Sequence, residues 1–127
     1  MSKTFRQRVD EARAQVKQLS PAEAKTIIER GGATVIDVGE PWQIAERGTV
    51  PGARNLTRGE LDIKADTEHP RRDPLVQDRG QKIILTCGGG GKAILSAVVL
   101  QEMGFADVWV ISGGCRAWKE AGYDLTR

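Results

Sequence analysis

Cys87 is followed by four consecutive glycines, Gly88 to Gly91, and then by Lys92. That set offers a thiolate nucleophile, backbone amides able to curl around an anion, and a positive charge. A cysteine at the end of a strand is most often a small core residue. A structural turn, however, needs one or two glycines, and each carries an entropy cost on folding. Four of them beside a thiol point to amides converging on an anion.

The flanks say how the loop is held. Ile83, Ile84 and Leu85 form a short apolar run suited to a buried strand. After Ala93, the residues Ile94, Leu95, Val98, Val99 and Met103 recur at helical spacing. The order strand, cysteine, glycine loop, helix puts the thiol at a helix N-terminus, where amides and dipole favour an anion. Cys87 is therefore expected to be a nucleophile in a loop that holds sulfur anions. Two nucleotide patterns compete. G-x-x-x-x-G-K-[ST] is met by Gly91-Lys92 but fails at Thr86 and Ala93. G-x-G-x-x-[GA] is met by Gly88, Gly90 and Ala93, but a glycine run matches it easily, and only one strand follows.

The rest of the chain alternates strands and helices. Phe5, Val9, Ala12, Val16 and Leu19 predict an amphipathic helix over 5–19. Ser20-Pro21-Ala22-Glu23 reads as a capping box opening a second helix to Arg30, stopped by Gly31-Gly32. Strands are expected near 33–38, 53–56, 82–86 and 107–111, with a short helix or turn over 42–47 that turns Trp42 inward. Another helical turn is expected within 58–63, and a final helix over 115–120. Residues 64–81 are polar, with Pro70, Pro74 and Gly80, and read as a surface excursion that could wall or cover a site. The expected class is α/β with a mostly parallel central sheet flanked by helices. Sites in such sheets lie beyond the carboxyl ends of the strands, where Asp37, Cys87 and Gly113 fall.

Composition narrows the function. The 127 residues suit one domain, and 39% hydrophobic with 28% charged residues suits a packed core rather than disorder. A net charge of +2, with no basic stripe, argues against a nucleic-acid partner. No apolar run is long enough to span a membrane, and the charged N-terminus lacks a secretory core, so a cytoplasmic protein is expected. One histidine and two cysteines do not make a usual zinc site or a disulfide framework, so no metal or cofactor is expected.

Five segments together resemble the rhodanese-like single-domain sulfurtransferases. They are Val35-Ile36-Asp37-Val38 with Glu40-Pro41, Gly48-Thr49-Val50-Pro51-Gly52-Ala53-Arg54-Asn55, Cys87 to Lys92, Leu100 to Phe105, and Gly113 to Trp118. The resemblance implies a rhodanese-like domain over 19–127, with residues 1–18 as a helical extension packed on it. It also implies that Cys87 takes sulfur from a small anionic donor such as thiosulfate, forms a persulfide, and passes the sulfur to cyanide, a thiol or a protein. The amides of Gly88, Gly89, Gly90, Gly91 and Lys92 would cradle the persulfide, the Lys92 side chain would hold donor oxygens, and Arg58 would line the entrance. The chain departs from the family's pattern at several points. Gly39 stands where Arg is frequent, which implies a missing structural charge contact. Thr49 stands where His is common, Lys92-Ala93 where Arg-Ser is common, and Cys115 where an aromatic is common. Phosphatase relatives carry Cys-x5-Arg, and here that place is Ala93. The alternative function is a catalytically weak binding or regulatory module of the same fold.

Overall fold

A computed structural model describes residues 2–127. Five parallel strands form one sheet in the order β1-β5-β4-β2-β3. They are β1 (Lys17–Leu19), β2 (Ala33–Asp37), β3 (Arg54–Asn55), β4 (Lys82–Thr86) and β5 (Asp107–Ile111). The helices are α1 (Phe5–Arg13), α2 (Pro21–Arg30), α3 (Pro41–Arg47), α4 (Leu61–Ala65), α5 (Gly91–Glu102) and α6 (Gly114–Glu120).

Strand alternation sorts the core into two layers. Ile83 and Leu85 of β4 pack with Val9 and Ala12 of α1, Leu61 and Ala65 of α4, and Ile94, Ala97 and Leu100 of α5. Ile84 turns to the other face, with Ala24 of α2 and Cys115 and Trp118 of α6. Cys87 continues the first parity and joins the α5 layer; Cys115 lies in the other layer.

The expected capping box at Ser20 is present: its hydroxyl accepts from Glu23 N, and Glu23 accepts from Ser20 N. Gly31 ends α2 with φ +78°. Three expectations need correction. The first helix stops at Arg13, and residues 17–19 form edge strand β1 beside β5, which apolar spacing in so short a stretch does not separate from helix. Trp42 is 62% exposed, not inward, because α3 is short and contributes no buried residue. The 64–81 excursion is tied down by its own polar groups: Gln77 donates to Lys64 O and Asp73 O, and Arg79 donates to Met103 O while lying over the Phe105 ring. It is anchored at the C-terminal end of α5, away from Cys87.

The start of α6 fixes the cysteine loop. Cys115 N donates to Cys87 O at 2.8 Å, and Arg116 N donates to Gly88 O at 3.0 Å. A Cβ on Gly114, whose φ is +62°, would stand 2.4 Å from Cys87 O and 2.8 Å from Gly88 O. Gly114→Ala should therefore lower unfolding free energy by about 3 kcal/mol or more, from left-handed strain and backbone overlap together. Urea denaturation checks this; a loss below about 1 kcal/mol would show that the two segments part easily.

Candidate active site

Cys87 leaves β4 at the carboxyl end of the sheet and is 3% exposed. Gly90 takes a left-handed conformation, φ +101°, and its N–H donates to Cys87 Sγ at 3.1 Å. Helix α5 begins at Gly91, two residues earlier than its apolar spacing suggests, so Gly91 and Lys92 belong to its first turn. No side chain caps this end, and the positive end of the helix dipole lies beside the thiol. Among the described residues, the amides of Gly88, Gly89, Gly91 and Lys92 meet no protein acceptor. The carbonyls of Cys87 and Gly88 are taken by α6 and that of Gly90 by Ile94 N, so the loop offers mainly donors.

The sulfur borders a hollow of about 360 Å³. It is lined by Gly88, Gly89, Gly91 and Lys92 of the loop and the start of α5, by Phe5 of α1, and by Gln43 and Arg47 of α3. Lys92 Nζ donates to Gln43 Oε1 at 3.4 Å across the opening. No residue of the 64–81 excursion lines this hollow. Arg58 lines an adjoining hollow with Val38, Glu40, Gly59 and Lys92, and its guanidinium lies 6.0 Å from the centre of the Phe5 ring. The structure thus gathers Cys87, Gly88, Gly89, Gly91 and Lys92 around one cavity, with Gly90 on the sulfur, and sets Arg58 at the adjoining hollow near Phe5.

Phe5, Gln43 and Arg47 have no mark in the sequence that reads as a site. Arg47 is the most informative. It donates to both oxygens of Asp37, at 2.9 and 3.1 Å, and to Gly48 O at 2.6 Å. Asp37 is fully buried and also accepts from Thr49 Oγ1 at 2.6 Å and Gly39 N at 2.8 Å. Burial works against the Arg47 charge, but the hydrogen bonds and charge of Asp37, with smaller contributions from the cysteines, outweigh it and raise the Arg47 pKa. A Cβ on Gly39 would stand 2.6 Å from Arg47 Nη2. Gly39 thus leaves room for a charge contact from elsewhere: the Arg47 guanidinium reaches Asp37 from α3 through the space that the glycine leaves.

Cys115 sits at the other side of this node. Its sulfur lies 3.4 Å from Arg47 Nη1, 3.7 Å from Thr86 Oγ1 and 3.8 Å from Asp37 Oδ2. Burial pushes its thiol pKa up, partly offset by Thr86 and Arg47. Among the described residues no group of three His, Cys, Asp or Glu could hold a metal, and no helix is long and apolar enough to cross a membrane.

A parallel α/β sheet with a cysteine loop between its central strand and the following helix defines the class, and comparison with known proteins gives the family. The rhodanese-like domain model matches residues 20–121, and the chain belongs to that family. The chain is 27% identical over 106 residues to thiosulfate sulfurtransferase GlpE of Stutzerimonas stutzeri, covering 81% of this chain and 84% of the relative. A solved structure from Rhodopseudomonas palustris, described as a protein of unknown function and possible tyrosine phosphatase, superposes with a TM-score of 0.91 at 29% identity, covering 98% and 96% of the two chains. The human single-domain sulfurtransferase shares the fold, with a TM-score of 0.73 at 22% identity over 83% of this chain and 96% of the other.

If Gly39 and Arg47 share one space, their substitutions must couple. Gly39→Arg and Arg47→Ala should each cost about 2–3 kcal/mol, the first by overlap and the second by leaving the buried Asp37 short of donors. The double variant should cost about 1–2 kcal/mol less than their sum, measured by denaturation as a double-mutant cycle. Additive losses would separate the two positions.

Proposed function

We propose that the protein is a sulfurtransferase that carries sulfane sulfur on Cys87. The observation that carries this reading is the Gly90 amide on the Cys87 sulfur, inside a loop whose remaining amides are free and whose helix N-terminus is open. Membership in the rhodanese-like family and likeness to named thiosulfate sulfurtransferases support it.

The Cys87 thiolate attacks the outer sulfur of thiosulfate. The S–S bond of the donor breaks, sulfite leaves with the electron pair, and Cys87 becomes a persulfide. The negative terminal sulfur then lies among preorganised amides, which stabilise charge with little reorganisation. A second nucleophile, cyanide, a thiol or a protein cysteine, takes the terminal sulfur and restores the thiolate. Lys92 holds the oxygens of the donor as a single charge rather than a two-point fork, and Arg58 adds positive charge at the rim. The glycine walls contribute no side-chain selectivity of their own.

Phosphate-ester hydrolysis, suggested by the description of the R. palustris relative, fits less well. Ala93 is buried where Cys-x5-Arg would place its cation, and Arg47 is already bound on both arms to Asp37. A catalytically weak binding module is the second reading, favoured by Ala93, which offers the sulfur no hydroxyl.

Thiosulfate-to-cyanide transfer, followed beside hydrolysis of an aryl phosphate, tests these readings. Wild type should form thiocyanate and leave the ester intact; Cys87→Ser should form none while keeping its unfolding midpoint. Lys92→Ala should raise KM for thiosulfate about tenfold, the worth of one charge-assisted contact, with a smaller change in kcat. Transfer that survives Cys87→Ser overturns the proposal, and thiosulfate turnover absent from wild type favours the binding module.

A further inference from the structure

The Cys87 hollow is larger than thiosulfate requires. Thiosulfate has five heavy atoms, whereas hollows of about 300–1,000 Å³ suit much larger organic ligands. This one is about 360 Å³, and an aromatic ring forms part of its wall. Phe5 is 52% exposed yet lines the cavity; among the described residues only Phe5 and Trp42 are large, apolar and exposed.

Phe5 is held in place from two sides. A Cβ on Gly91 would stand 3.2 Å from its ring and 3.4 Å from Val9, so the start of α1 lies tightly against the start of α5 where residue 91 has no side chain. The Arg58 guanidinium lies over the ring. Thr4 caps α1 and fixes where the helix begins: its hydroxyl accepts from Gln7 N, and Gln7 accepts from Thr4 N. The family match starts at residue 20, so this wall lies outside the matched domain.

Resting on the reading of Cys87 as sulfur carrier, we propose that Phe5 is a specificity-determining residue that fits the site to an organic sulfane-sulfur anion, a thiosulfonate R–SO₂–S⁻ whose apolar R group packs on the ring. Lys92 and the α5 N-terminus face the anionic end. The Cys87 thiolate attacks the terminal sulfur, the S–S bond of the donor breaks, and the sulfinate R–SO₂⁻ leaves with the electron pair. Charge and sulfur balance as they do with thiosulfate, and no oxidant is needed. Offset or edge contact with an aromatic R group gives the ring its hold on the donor.

Benzenethiosulfonate and thiosulfate compared in wild type, Phe5→Ala and Phe5→Leu test this. Phe5→Ala should lower kcat/KM for benzenethiosulfonate about five- to tenfold more than for thiosulfate; Phe5→Leu should recover part of that difference. Benzenesulfonate, which cannot give up sulfur, should protect Cys87 from iodoacetamide at lower concentration in wild type than in Phe5→Ala. Equal losses on both donors at an unchanged unfolding midpoint, or no loss on either, overturn the role of Phe5 while leaving sulfur transfer intact. Protection by benzenesulfonate without loading of Cys87 by either donor overturns the sulfur-carrier reading instead.

Discussion

The closeness of two backbones governs this site. The turn at Gly113-Gly114 lies against the Cys87–Gly90 segment, and no Cβ fits at Gly114 between them. Two loop carbonyls are thereby drawn onto the first amides of α6. With those carbonyls occupied, the loop presents mainly N–H groups, one of which already rests on the sulfur. The glycine run is the local half of this arrangement and the α6 turn the distant half. Neither alone would make a donor-rich pocket, because a free glycine loop loses too much entropy on ordering.

The carboxyl end of β2 supplies the second constraint. Asp37 is buried without exposure and is satisfied by Arg47, Thr49 and the Gly39 amide. This node anchors the end of α3, which carries Gln43 and Arg47 to the hollow. It also separates the two cysteines. Strand parity sends Cys87 to the α5 layer, while Cys115 lies in the α6 layer beside Thr86, Arg47 and Asp37. One thiol borders the donor-rich loop; the other is a buried neutral group with a raised pKa.

Much of this was legible in the sequence, and the failures have physical causes. Strands 82–86 and 107–111, the Ser20 cap, the Gly31 stop and the order strand, cysteine, glycines, helix follow from local chemistry. Local chemistry does not show what crosses space. Arg47 has no mark in the sequence beyond its place at the end of the 42–47 helix or turn, and Gly39 reads as a missing charge contact, whereas in the fold the Arg47 guanidinium fills the space beside it. Phe5 reads as one more apolar position of an amphipathic helix, because periodicity gives a face but not the neighbour it meets. The polar 64–81 segment looked like a site wall because of its length; in the fold its Gln77 and Arg79 side chains tie it to partly buried backbone carbonyls away from the hollow.

Peptide mapping of thiosulfate-treated protein shows whether the sulfur rides on Cys87. After blocking of free thiols under native conditions and proteolysis, mass spectrometry should find one added sulfur on the peptide containing Cys87, removable by a reducing agent, with Cys115 carrying none. Added sulfur on the Cys115 peptide, or on neither, contradicts the account.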